Sequence, residues 1–312
     1  MQNELLVAKG EGPKRLDRYL AGHQRNISRS HVRRLIELGR IHVNGRTVKP
    51  SRLVRGGDRI EIETPPARPL GVKQSTTDLE VLWEDEDLLV INKPIGVVMH
   101  PGSGHWEDTL FNALLYYLAG QAAADVAPRL VHRLDKDTSG AIVVAKTVLA
   151  HRSLCEQFAL RQMSKQYLAI VQGCPGQACG VIEAVLGRGQ RKTVVVAPNA
   201  SRSKQASTEF VVLLRLGSIA SCLALTPRTG RTHQLRVHLQ SVGHAILGDP
   251  VYGGRTGIPG YEGVINRLML HAHKIGYRHP RSGQYQEYFA PVPLEMRMLQ
   301  AVMQPELAHN LG

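Results

Sequence analysis

Two apolar runs, EFVVLLRL at 209–216 and IASCLALT at 219–226, are separated only by Gly217 and Ser218. So short a link can join only antiparallel neighbours. β-prone runs at 88–92, 141–146, 167–172, 193–197 and 268–277 supply further strands, and helices fit 109–118, 147–161, 232–242 and 294–303. Strands and helices do not alternate one for one. The expected class is therefore α+β, a mixed, mainly antiparallel central sheet with flanking helices, rather than a doubly wound fold. No dinucleotide fingerprint or phosphate-loop pattern appears, which disfavours nucleotide-cofactor enzymes.

The chain is expected to divide at 64–78, TPPARPLGVKQSTTD, where proline and small polar residues gather without periodicity. That gives a small domain over 1–63, a linker over 64–78, a larger domain over 79–305 and a tail over 306–312. In the small α/β domain Ser28 can cap a helix that begins near Arg29 and stops at Gly39. At about 100° per residue, Val32, Leu35, Ile36 and Leu38 fall on one arc, and Arg29, Arg33, Arg34 and Arg40 on the other. Three short strands follow, IHV, RTV and RIEIE, with hairpin-type connections at Asn44-Gly45 and Gly56-Gly57-Asp58. A solvated helix face and an RNA-binding face both fit this cationic arc.

Chemistry concentrates in HRLDKDTSG at 132–140. In an extended backbone Arg133 and Asp135 project to one face while Leu134 points into the core. A carboxylate beside a guanidinium stays ionised where burial alone would neutralise it, and can then act as nucleophile or base. The apolar AIVVA that follows should anchor a Thr138-Ser139-Gly140 turn against a buried strand. From these residues alone a structural ion pair and an active-site carboxylate both stand.

Lys and Arg number 39 against 26 Asp and Glu, a net charge of +13 that favours a polyanionic partner. No window reaches the roughly 18 uninterrupted apolar residues of a membrane span, so no membrane partner is expected. The first residues, MQNELLVAKGEGPK, lack a basic-then-apolar secretory pattern, and a cytoplasmic protein is the expectation. Composition holds no hydrophobic surplus that demands a dimer, so a monomer is expected. Of the four cysteines only CPGQAC, Cys174 to Cys179, has a zinc half-site spacing, and no second half-site matches it. His271 and His273 share a strand face by alternation, without a carboxylate. No metal is expected.

HRLDKDTSG resembles the catalytic signature of the RluA-type pseudouridine synthases. Four more blocks match that family in order: NKPIGVVMHPGSG at 92–104, KQYLAIVQG at 165–173, PRTGRTHQLRVHL at 227–239 and GHAILGDPVYGG at 243–254. The resemblance runs from about residue 78 to 293 and is strongest to the branch acting on large-subunit ribosomal RNA. One departure is Ala245, where the family usually carries proline. The small domain resembles the RNA-binding domain first seen in a ribosomal small-subunit protein.

The resemblance implies isomerisation of specific uridines to pseudouridine in 23S rRNA, without cofactor. A tRNA synthase and a non-catalytic RNA-binding assembly factor are the alternatives. Asp135 matches the essential aspartate, Tyr167 the active-site tyrosine, and Arg236 the arginine that pairs with Asp135. Arg133 is the candidate to enter the RNA in place of the flipped base, and His132 beside it is expected to bind substrate. Thr232 can cap a helix with an apolar stripe of Leu235, Leu239 and Val242, and Arg231 and His233 at its start suit a substrate phosphate. Lys93, Pro94, His100 and Gly102 are expected to line the cleft. The basic run Arg188, Arg191, Lys192 before TVVVA suggests a hairpin arm along RNA, with solvated charge as the alternative.

Overall fold

The computed structural model describes residues 2–23, 29–63, 77–102, 104–120, 127–189, 194–197, 203–258, 261 and 263–304. The chain forms two compact units, 1–71 and 72–312. The connector expected at 64–78 lies, up to residue 76, outside the described residues, as does the tail at 306–312.

In the first unit the elements run β1 (Gln2–Leu6), β2 (Lys14–Arg15), α1 (Leu16–His23), α2 (Arg29–Glu37), β3 (Ile41–Val43), β4 (Arg46–Thr47), β5 (Leu53–Val54) and β6 (Arg59–Glu63). The sheet order is β1-β6-β3-β4, with β2 and β5 paired separately. Asn44 and Gly45 both take positive φ, 52° and 71°, the backbone that lets a two-residue turn follow the twist of β3 and β4. Val32, Leu35 and Ile36 of α2 are buried against Leu16, Tyr19 and Leu20 of α1. Leu38, expected on the same arc, is 61% exposed: the helix stops at Glu37, and Gly39 at φ 68° turns the chain away.

The second unit begins with β7 (Glu80–Glu84), β8 (Leu88–Lys93), α3 (Leu110–Ala119), β9 (Arg129–Leu130), β10 (Ser139–Ala145), α4 (Val148–Ala159) and β11 (Ser164–Gln172). It continues with β12 (Cys179–Arg188), β13 (Val194–Val196), β14 (Lys204–Leu216), β15 (Ala220–Pro227), α5 (Gln234–Ser241), β16 (Leu270–Arg278), β17 (Tyr285–Phe289) and α6 (Leu294–Met303). One sheet runs β13-β12-β14-β15-β11-β16-β10-β8-β7, with β17 on β16 and β9 on β10. Within it β10 and β16 run parallel, and the other strand pairs among the described residues are antiparallel. The fold is the α+β arrangement expected.

Local chemistry sets the helix ends. Thr109 and Asn112 form a capping box at α3, and the Thr147 side chain accepts from the Ala150 amide at α4, each closing otherwise unpaired amides. The cap expected at Thr232 is absent. His233, at φ 53°, occupies the N-cap of α5 without a side-chain bond. The buried Gln234 does the stitching instead: its Oε1 accepts from the Arg231 amide and Thr229 hydroxyl, and its Nε2 donates to Ser207 O and Thr208 Oγ1. Val242, expected on the apolar stripe, caps the far end and is 47% exposed.

The turn expected at Thr138-Ser139-Gly140 falls earlier. The Thr138 amide donates to Asp135 O at 3.1 Å, with Lys136 and Asp137 at the corner, and β10 already begins at Ser139. Gly140 explains the shift. It sits at φ 121° where β10 meets β16, and a Cβ there would overlap the Ala272 backbone.

Candidate active site

Asp135 ends a short extended stretch whose Leu134 is buried, while Arg133 is exposed and Asp135 partly so. They open onto a cavity of about 300 Å³, lined among others by Arg133, Asp135, Tyr167, Arg231, His233 and Arg236. Among the described residues Asp135 carries the single carboxylate in that lining, beside four arginine and lysine side chains. No ion pair joins Arg133 to Asp135 among the described residues. Among the described residues the carboxylate instead faces the His233 ring, with Nε2 3.9 Å from Asp135 Oδ2, an ion pair only when the ring is protonated.

Tyr167 reaches the cavity through a β-bulge. The register between β11 and β16 slips between Gln166 and Leu168, and a bulge re-aims the side chain it carries. Burial, with Asp135 nearby, raises its phenol well above the ordinary range. At neutral pH it is a protonated donor with a stacking face, not a base.

Arg236 does not form the expected bond to Asp135. Its Nε and Nη2 each lie 2.7 Å from a carboxylate oxygen of Asp249, and both residues are buried. The reason is electrostatic: a fully enclosed carboxylate is tolerable only beside a matching cation. Burial alone would raise the Asp249 carboxyl, but Arg236 and the amides of Val251 and Tyr252 hold it below the usual range. Asp135 is close enough to add to the attraction on Arg236, so the guanidinium acts at the cavity as a fixed positive background.

His233 is also held from behind. The Val194 amide donates to the Tyr252 oxygen at 3.1 Å, and the Tyr252 hydroxyl stands 2.8 Å from His233 Nδ1. One hydrogen bond thus fixes the Nδ1 side of the ring, with its direction set by the tautomer, and Nε2 is the side that faces Asp135. The Tyr252 ring lies under the Arg236 guanidinium, 4.9 Å away.

His132 is fixed by the fold. Its Nε2 accepts from the Val143 amide, its ring stacks on Phe158 at 4.9 Å, and burial pushes it down to about 3. It forms cavity wall as a neutral ring. Lys93, expected in the cleft lining, is fully buried, and its Nζ donates to Pro94 O at 2.7 Å and Lys136 O at 3.0 Å. Enclosure opposite Gly140 on β8 turns it from the cleft to the turn behind Asp135. His100 is exposed near Arg133; partial burial and that charge push its imidazole down.

On the cationic surfaces, Arg33 is exposed and Arg40 bonds Glu63 at 2.6 Å. The side chains of Arg29 and Arg34 lie outside the described residues, as do Ser28, Arg191 and Lys192. Arg188 ends β12, which pairs with β13 as a hairpin. Among the described residues no three His, Cys, Asp or Glu side chains converge as metal ligands, and no helix is long and apolar enough to cross a membrane. His271 and His273 both bond Ala290 O, and the Cys174 thiol donates to Gly217 O.

Comparison with known proteins agrees with this geometry. Residues 87–241 match the RNA pseudouridylate synthase family model and residues 14–60 the S4 domain model. An uncharacterized RNA pseudouridine synthase of Bacillus subtilis (strain 168) is 36% identical over 96% of this chain and 97% of its own. The ribosomal large subunit pseudouridine synthase D of Zymomonas mobilis is 39% identical over 91% of this chain and 92% of its own. Among solved structures, human RNA Pseudouridylate Synthase Domain Containing 1 is 29% identical with a TM-score of 0.57, covering 74% of this chain and 96% of that one. Identities of 36% and 39% over 96% and 91% of the chain, together with the two matched domain models, place this protein in the RNA pseudouridine synthase family, with an S4 domain preceding the synthase domain.

Proposed function

We propose that this protein isomerises specific uridines of 23S ribosomal RNA to pseudouridine, with Asp135 at the reacting sugar and base. The observation that carries the reading is Asp135 itself, the single carboxylate among the described residues lining a cavity that four arginine and lysine side chains also line. A pure RNA binder gains nothing from an acid facing a polyanion. In the reaction the N1–C1′ bond breaks, the base turns, and a C5–C1′ bond forms; C5 loses its proton and N1 takes one up. The oxidation state is unchanged, so the chemistry requires no redox partner.

Each side chain has a part in this scheme. Asp135 promotes the bond exchange, Tyr167 stacks on and donates to the freed uracil, and Arg236 supports the charge from its bond to Asp249. Arg133, exposed at the rim, fills the stack the uridine leaves. Arg231 and His233 face the strand at the start of α5. Arg33 of the S4 domain and Arg188 of the β12–β13 hairpin add phosphate contacts. The ribosomal target is supported by likeness to synthases named for the large subunit. Residues 1–63 serve as the RNA-binding domain and 79–305 as the catalytic one, in a cytoplasmic monomer.

Carbodiimide labelling with primer extension, on rRNA and tRNA from cells with and without the protein, tests activity and target together. Loss of pseudouridine stops in 23S rRNA alone is the expected result. Loss confined to tRNA would redirect the assignment, and no change would remove it.

A further inference from the structure

Beside the catalytic cavity lies a second, larger depression of about 780 Å³, walled by the end of α4, the start of β11 and the 226–231 loop. The two share Phe158, Lys165, Pro227, Thr229, Gly230 and Arg231, so one opens into the other. Among the described residues four cationic side chains line the depression, Arg161, Lys165, Arg228 and Arg231, and no carboxylate does.

These cations are not equally occupied. Arg228 is clamped by Glu209 at 2.6 and 2.8 Å, and Arg231 Nε donates to Gln205 O at 3.3 Å. Lys165 has no acid or hydrogen-bond acceptor in reach among the described residues; its recorded contact is the Phe158 ring, 5.4 Å from Nζ. It is half-buried, and burial pulls its ammonium below the ordinary lysine value. Withdrawing an ammonium from water without a counter-ion is unfavourable unless a ligand supplies the negative charge. Arg161, exposed at φ 58° at the end of α4, also has no side-chain partner among the described residues.

We propose that this depression binds phosphodiester groups of the RNA strand flanking the everted uridine, with Lys165 on the phosphate nearest the cavity and Arg161 further out. The proposal rests on RNA uridine being the substrate. A strand whose nucleotide enters the cavity must leave past the shared wall, and Lys165 stands in that wall. The absence of carboxylates and the excess of long cations suit a polyanion and not a neutral or cationic ligand.

The test uses full-length Lys165→Met, which keeps an unbranched stem over Phe158 and removes the charge. Its unfolding midpoint should equal or exceed that of the parent, because a desolvated charge is gone. On an RNA that the parent converts, KM should rise about tenfold or more, as for loss of a charged hydrogen bond, with the loss falling on KM rather than kcat. The plot of log affinity against log salt should flatten by about 0.7, one single-strand phosphate. A neutral methylphosphonate placed singly on either side of the target uridine identifies the partner. At one linkage it should weaken the parent as much as the substitution does, and should weaken Lys165→Met no further. Equal KM and salt slope in a folded variant, or the same methylphosphonate penalty in both proteins, would overturn the proposal. Absence of conversion by the parent on any RNA is a different result: it removes the substrate reading, and the groove with it.

Discussion

Nζ of Lys93 donates to the carbonyl oxygen of Lys136 at 3.0 Å, and the Gly96 amide donates to the same oxygen at 2.9 Å. Lys136 is the first corner residue of the turn that Asp135 opens, so the end of β8 grips that turn from behind. The grip is made by a lysine with no exposed surface, whose ammonium burial pushes down to about 7 against the pull of Asp137 and Asp135.

Replacing that lysine separates its two effects. Its folded value lies below the ordinary lysine value, so between about pH 7 and 10.5 the unfolded chain binds more protons and stability rises with pH. The cost of the buried charge is fully present below pH 7. Lys93→Met escapes it, and its stability relative to the parent should fall by about 1.4 kcal/mol per pH unit across that window, read by urea unfolding. The freed turn should lower kcat by about a hundredfold, as a displacement near 1 Å can. A constant stability difference from pH 6 to 10 would refute the assignment.

Asp135→Asn removes the carboxylate proposed to react and adds no repulsion toward RNA. Conversion should fall by at least about a thousandfold, with RNA affinity unchanged or slightly higher. Filter binding and tritium release from labelled uridine measure the two separately. Retained turnover would move the chemistry to another residue.

Tyr252→Phe tests the anchor of His233. Burial pushes that imidazole below its ordinary value, with Asp135 opposing and Arg236 reinforcing the shift. The Tyr252 hydroxyl holds Nδ1 at 2.8 Å, so its loss should free the ring that faces Asp135, and kcat should fall about threefold to tenfold across the rate–pH profile for one lost hydrogen bond. The phenyl ring still covers Arg236, so superimposable profiles would show that the hydroxyl plays no part.

Local patterns in the chain carry what is locally determined. Thr109 and Thr147 cap the helices they precede, α6 spans the residues its apolar spacing indicates, and Gly217-Ser218 closes the β14–β15 hairpin. What escaped depends on distant partners. Asp249 claims Arg236 only once the 243–254 loop folds onto α5, and Lys93 is buried only when β8 lies against Gly140. The bulge at Tyr167 belongs to the β16 register and not to KQYLAIVQG. β12 and β17 are obscured in the sequence because Glu183 and Glu287 interrupt their apolar residues, and β7 because only three apolar residues stand between Glu80 and Glu84. α1 was legible in Leu16, Tyr19 and Leu20, a helical spacing that the arginines downstream overshadowed.

The bond between Arg236 and Asp249 makes the sharpest stability prediction. Both groups are enclosed, so Asp249→Asn leaves a guanidinium without its counter-charge and should cost about 3–5 kcal/mol at pH 7. The Asp249 carboxyl is held below its ordinary value in the folded chain. Its contribution is therefore complete above about pH 4, the unfolded carboxyl range, and is lost as pH falls through the lower folded value. Urea unfolding at pH 7, 5 and 3 should give a parent–variant gap that is constant from 7 to 5 and smaller at 3. A gap that widens on acidification would mean that the aspartate is protonated in the native state, and the bidentate pair would be wrong.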